Sequence, residues 1–253
     1  MAENDEREFI PRAQRLFIDS DLSGGTVVIE ERAAHYVGHV LRLKAGDSLV
    51  VFNGRGDERA ATVASLRRGR AELRLHERVA PMPEPALEIT LVQALVKSDA
   101  MDSIVQKATE LGIRKLSAVK TDFSVIRLDA ARAARRLEHW RRIAQSACEQ
   151  SGRHCPPAID VFASLAQCLV TLPADALRVV FHPGGNGGLG ALPQPVAGVC
   201  LLVGPEGGFS AADLRSIAAA GFSGAGLGPR TLRAGTAAVA ACALAQSYWG
   251  DMR

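Results

Sequence analysis

Three prolines in five residues, Pro81, Pro83 and Pro85, constrain this chain more than any other feature. Proline has a fixed φ and no amide hydrogen, so this run cannot lie inside a helix or an interior strand and makes a semi-rigid spacer. The patterning changes across it. Before it, short β-type runs alternate with turn signals: Thr26–Ile29, Ser48–Phe52 followed by Asn53-Gly54, Ala60–Ala64, and Ala71–Val79. That spacing predicts a small β-barrel or sandwich, with one helical stretch near Glu31–Arg42. Two domains are expected, residues 1–82 and 83–253.

After the spacer, strands alternate with longer helices. Leu87–Val96 is a mostly apolar run, and Asp99 is placed to cap a helix. Met101, Ile104, Val105, Ala108 and Leu111 share one face of that helix, and Gly112 stops it. Asp129–Gln150 predicts a long helix with a basic face, and Arg178–Phe181 and Val199–Val203 predict buried strands. Ser210 with Asp213 forms a capping-box pattern, opening a helix that ends at Gly221. A last helix is expected from about Thr236 to Tyr248. Continuous apolar strands alternating with helices predict an α/β domain with a mainly parallel sheet.

Charge narrows the function without naming it. The net charge of +3 does not announce a nucleic-acid binder. Residues 161–253 hold 5 basic and 4 acidic side chains, against 13 and 13 in residues 1–80. The C-terminal third therefore reads as a Gly- and Ala-rich core around a ligand. Basic clusters at Arg67, Arg68 and Arg70, and at Arg132, Arg135, Arg136, Arg141 and Arg142, fit solvated faces as well as RNA contacts. The longest apolar run near the C-terminus, Ala237–Ala245, is far short of the roughly 20 residues that cross a bilayer. The acidic start MAENDERE lacks the pattern of a signal peptide, so a cytoplasmic protein with no membrane partner is expected. Five scattered cysteines without a C-x-x-C pair support neither a metal site nor a disulfide framework.

Three glycine-rich loops follow predicted strands, where open α/β sheets place their ligands. They are Phe181–Gly188, Gly204–Ser210 and Leu227–Thr236. Glycine lets backbone approach a ligand closely, which suits a nucleoside. The P-loop, H-E-x-x-H and G-x-S-x-G are missing, and no G-x-G-x-x-G sits between an early strand and its helix. His182, just after a strand, reads either as a structural histidine or as a ligand contact.

The order and wording of the motifs resemble a known family, the RsmE-type methyltransferases of the knotted SPOUT class. The resemblance rests on His39-Val-Leu-Arg42, Lys107–Gly112, Ala147–Arg153, His182-Pro183, Val203–Phe209 and Leu227–Arg233. It implies a PUA-like RNA-binding β-barrel joined to an α/β methyltransferase domain with a C-terminal trefoil knot. It also implies S-adenosyl-L-methionine as cofactor, a homodimer, and 16S rRNA of the small ribosomal subunit as partner. The reaction implied is methylation of N3 of a uridine, position 1498 in the customary numbering. Other readings are a SPOUT enzyme acting on a different RNA site, or a non-catalytic ribosome-binding homologue.

The cofactor would lie against Phe181 and His182 in the first loop. Leu202, Val203, Gly204, Pro205, Gly207, Gly208 and Phe209 would meet it around the second, and Leu227, Gly228, Leu232 and Thr236 in the third. Arg233 is the catalytic candidate, a cation placed where charge develops on the uracil oxygens. Glu206, the acid within the second loop, either accepts hydrogen bonds from loop amides or serves as a base. Arg12, Arg15 and Arg42 are candidate RNA contacts, or plain surface arginines. One departure stands out. Where the family usually has L-R-x-E-T-A, this chain has Gly235 in the acidic position. Ala100 and Asp102 replace a lysine and a glutamate common in that helix.

Overall fold

The computed structural model describes residues 14–124, 130–185 and 187–252. The chain divides into two compact units, Met1–Met82 and Pro83–Arg253.

In the first unit, β1 (Arg15–Phe17), β2 (Thr26–Glu30), β3 (Ser48–Phe52), β4 (Glu58–Arg67) and β5 (Arg70–Arg78) form one mixed sheet. The order is β1-β3-β4-β5-β2, with β1 parallel to β3 and the other neighbours antiparallel. On β5, Ala71, Leu73 and Leu75 are buried while Glu72, Arg74 and His76 between them are exposed. This period of two belongs to a sheet with one wet face. Its inward side chains join Leu16, Val27, Ile29, Val51 and Val63 in the unit's own core. Among the described residues no ladder joins the edge strands β1 and β2, so the expected barrel is a PUA-like half-barrel. The expected helix is also irregular. α1 (Glu31–His35) widens into a π-helical turn, Tyr36–Val40, and Arg42 follows with φ +57°.

The second unit carries an all-parallel, six-stranded sheet. Its strands are β6 (Ile89–Ala94), β7 (Lys115–Val119), β8 (Ala158–Phe162), β9 (Leu177–Phe181), β10 (Val199–Val203) and β11 (Ser223–Ala225). Their order is β11-β9-β10-β6-β7-β8. All five residues of β10 are buried, as in a strand covered on both faces. One face packs under α2 (Ser98–Glu110), α3 (Ala130–Ser151) and α6 (Ala234–Trp249). The other packs under α4 (Leu165–Leu169) and α5 (Ala211–Ala219). From β6 the chain moves outward to β7 and β8, then crosses to β9 and β10 on the other side. The sheet therefore has a switch point between β6 and β10, where ligands collect beyond the strands' carboxyl ends. After β11 at the edge, α6 returns to pack on α2, β6 and β10.

Local chemistry sets the boundaries. α2 starts at Ser98 with Lys97 in the cap position and no side-chain cap bond, so Asp99 is a first-turn acid instead of the expected cap. There its charge still favours the helix dipole. Gly112 ends the helix at φ +79°, and a Cβ on it would fall 2.5 Å from Pro85 Cγ. The start of the unit is fastened to the turn after α3 by Arg153. Its Nε and Nη2 donate to Glu84 Oε2 at 3.0 and 2.5 Å, and its Nη1 donates to the carbonyls of Thr109 and Ile113. His154 and Cys155 bring donor atoms near the same carboxylate, an ion-pair cluster that the scattered cysteines did not announce.

Candidate cofactor site at the carboxyl ends of the strands

The three glycine-rich loops leave β9, β10 and β11 at one end of the sheet, and their backbones interlock. A Cβ on Gly185 would lie 2.4 Å from the carbonyl of Ala225, and the amide of Gly226 donates to the carbonyl of Gly187 at 2.9 Å. Only glycine at 185 allows that approach. In the second loop, Gly208 donates to Pro205 O at 2.9 Å, and the Phe209 ring folds back to within 3.0 Å of where a Gly204 Cβ would be.

The second loop runs directly into α5 through the capping box expected from sequence. Asp213 N donates to Ser210 Oγ at 3.0 Å, and Ser210 N donates to Asp213 Oδ2 at 3.1 Å. Ser210 Oγ in turn donates to Asp122 Oδ2 at 2.6 Å, which ties the loop after β7 to the same helix start.

Between the loops lies an open cavity of about 700 Å³, within the range of small-molecule sites. Phe181, His182, Val203, Gly204, Pro205, Gly207, Gly208, Phe209 and Leu232 line it. A smaller recess of about 60 Å³ adjoins it, with Leu227 and Gly228 in its wall. Two expected contacts are placed differently. Leu202 is buried in the core on the α4–α5 face of the sheet, because successive residues of a strand face opposite sides. Thr236 is exposed in the first turn of α6 and lines neither space. Sequence reasoning missed Pro183, Leu214, Thr231, Ala234, Ala237 and, in the recess, Arg230. Pro183, Arg230, Thr231 and Ala234 fall inside the first and third loops, and Leu214 and Ala237 in the helices that follow the second and third.

Glu206 and Arg233 both line the cavity and are exposed. Neither side chain has a hydrogen-bond or ion-pair partner among the described residues, so Glu206 does not accept from loop amides as one reading expected. Arg233 occupies the cap position of α6, with φ −63° and ψ 150°. His182 Nδ1 lies 2.9 Å from Pro183 O. A carbonyl can only accept, so Nδ1 donates to it.

The donor set fits an adenosine-bearing sulfonium. Backbone amides and carbonyls are available from three glycine-rich loops, Val203, Phe209, Leu232 and Ala237 supply apolar walls, and no lining side chain but Arg233 is cationic in the larger cavity.

Of the arginines expected to meet RNA, Arg12 lies outside the described residues. Arg15 is committed within its unit: it pairs with the buried carboxylate of Glu58 and sits over the Phe52 ring, 4.8 Å from its centroid. With 12% of its side chain exposed, it is a structural arginine. Arg42 is exposed, without a partner among the described residues, in a backbone conformation that costs a non-glycine residue about 1–2 kcal/mol.

Comparison with known proteins decides the family. The model of an RNA methyltransferase domain matches residues 83–246, and that of an RNA methyltransferase PUA domain matches residues 29–75. Ribosomal RNA small subunit methyltransferase E of Synechocystis is 30% identical over 95% of this chain and 79% of its own length.

The chain belongs to the ribosomal RNA small subunit methyltransferase E family.

The Buchnera aphidicola member from Acyrthosiphon pisum is 26% identical over 94% of this chain and 95% of its own. Two solved structures of the same fold are similar. A putative methyltransferase from Legionella pneumophila, in complex with the cofactor SAM, superposes with a TM-score of 0.90 and 31% identity over 95% of this chain and 99% of its own. The Neisseria gonorrhoeae methyltransferase E bound to S-adenosyl methionine gives 0.88 and 31%, over 96% and 100%. A PUA-like unit, matched over residues 29–75, precedes the methyltransferase unit in this chain. No helix among the described residues is long and apolar enough to cross a membrane.

Proposed function

We propose that this protein transfers a methyl group from S-adenosyl-L-methionine to N3 of a uridine in 16S rRNA of the small ribosomal subunit, at position 1498. The observation that carries the reading is the cavity between the three loops, with a guanidinium and a carboxylate on its wall that have no partner among the described residues. Relatives over nearly the whole chain are ribosomal RNA methyltransferases, and two similar structures hold the cofactor.

Bound there, the cofactor supplies an electrophilic methyl group on sulfur. The loop backbones hold the reactants in line, and positioning of this kind contributes much of the acceleration of a displacement. Phe181, Val203 and Phe209 give that region an apolar wall. Uridine N3 carries a proton, and its removal puts negative charge on the two flanking carbonyl oxygens. Arg233 stabilises that charge as it develops. Glu206, on the same cavity wall, takes the N3 proton.

The finer expectations belong to the same reading. The return of α6 from the sheet edge across β6 and β10 is the path by which the C-terminal segment threads a trefoil knot. The outward face of α6, with Leu244 and Tyr248 exposed, joins a second copy. The first unit, residues 1–82, grips RNA through Arg42, and the protein works in the cytoplasm where small subunits mature.

The test is methylation of small subunits purified from a strain lacking the enzyme, with the modified nucleoside mapped by mass spectrometry. N3-methyluridine at the decoding site is expected. A methylated ribose, a methyl elsewhere, or no transfer would overturn the proposal.

A further inference from the structure

Phe123 is a large apolar side chain left 51% exposed, in the loop after β7. Its backbone is held firmly. The amide of Ser124 donates to Thr121 O at 3.1 Å, and the amide of Thr121 donates to Ser124 Oγ at 3.0 Å, closing a turn around the ring. The preceding residue, Asp122, accepts from Ser210 Oγ at 2.6 Å, and its amide donates to Asp213 Oδ2 at 3.4 Å. Both partners belong to the cap of α5, the helix that begins where the second loop ends. On its other side Phe123 packs on that loop itself, where a Cβ added to Gly207 would lie 3.3 Å from Phe123 Cβ. Gly207 lines the cavity, so Phe123 lies directly against the outside of the cavity wall.

A base can meet a buried methyl donor only if it leaves its stack, and RNA enzymes hold such bases against aromatic faces. Phe123 offers that face, in water, on a fixed turn, beside the loop expected to hold the cofactor. We propose that Phe123 is the stacking platform for the extruded pyrimidine base presented to this cavity. The inference rests on the methyltransferase reading and adds to it a residue that receives the substrate. Because every base has a π-face, Phe123 fixes where the ring lies, and selection for uracil falls to polar groups such as Arg233 and Glu206. The occupant is a nucleobase rather than a partner subunit, because the ring adjoins the loop that walls the cofactor cavity.

The experiment compares full-length wild type with Phe123→Ala, Phe123→Leu and Phe123→Trp. It measures binding and methylation of small subunits from a strain lacking the enzyme, cofactor affinity by calorimetry, and mass by light scattering. Phe123→Ala and Phe123→Leu should raise KM and weaken binding roughly 5- to 150-fold, the value of one base–aromatic stack. Phe123→Trp should keep wild-type behaviour, and cofactor affinity should be unchanged in all three. Leucine keeps the contact with Gly207 but has no π-face, so a leucine variant equal to wild type overturns the proposal. A loss accompanied by a change in oligomeric mass also overturns it, by assigning the ring to a subunit contact. Wild-type protein that binds subunits but transfers no methyl group overturns the function instead, while the binding comparison still reads Phe123.

Discussion

Arg233 stands at the cap of α6, lining the cavity wall with no partner among the described residues. If it stabilises charge that appears only during transfer, Arg233→Ala lowers kcat about 10²- to 10³-fold with little change in cofactor affinity. Steady-state kinetics beside calorimetry checks this, and a variant that loses cofactor binding instead would place Arg233 on the cofactor. Gly235, two residues on, needs none of glycine's freedom. Its φ is not positive, and an added Cβ would find only Ile104 Cγ1 at 3.9 Å. Gly235→Ala should stabilise the protein by about 0.5 kcal/mol in urea unfolding, since glycine loses more entropy on joining a helix. Gly235→Glu adds a carboxylate favourable at a helix N-terminus, and its effect on cofactor affinity measures what the missing acid would contribute. Cys242 carries a different signal. Complete burial pushes its thiol up from 9.0 to about 12. The folded protein keeps this proton where the unfolded chain loses it, so the stability contribution is full below pH 9 and is lost as pH rises toward 12. Unfolding free energy should therefore fall above pH 9 by up to about 1.4 kcal/mol per pH unit from this group. That part of the slope should vanish in Cys242→Ala.

At the scale of elements, most of what matters was legible where residues carry their own signal. The Ser210–Asp213 box, the five apolar residues of β10 and the glycine stop of α2 all depend on neighbours in sequence. Gly112 tests the last of these. With φ +79° and Pro85 Cγ 2.5 Å from its absent Cβ, Gly112→Ala should cost at least about 1–2 kcal/mol by chemical unfolding. A neutral result would mean that the turn relaxes easily. Other elements were silent for physical reasons. β1 and β11 have three residues each, too few for a period to show. β7 and β8 mix polar residues into five-residue runs, which periodicity cannot separate from loop. Asp99 resembled a cap because its type favours caps, but the helix starts one residue earlier.

Across the whole molecule, α6 poses a question that one chain leaves open. Its inner face, Ala238, Ala241, Cys242 and Ala245, is buried, yet its outer face carries Leu244 and Tyr248 in water, and none of its 16 residues is charged. A helix apolar all round is normally covered on both sides. Light scattering should give about twice the 26.8 kDa chain mass, and Leu244→Glu should shift it toward the monomer. A monomeric wild type would overturn the dimer. The proline break, the β-rich character of the unit before it, the parallel sheet after it, and the three loops from which the family resemblance followed were all readable in the sequence by itself, before any fold was known. These are local properties, written in residue type and spacing. Only the folded structure shows that Leu202 faces the core, that Arg15 is held by Glu58, that Glu206 and Arg233 have no partner among the described residues, and that Phe123 abuts Gly207 of the cavity wall. Each depends on contacts between residues far apart in the chain, made only when the sheet order is set.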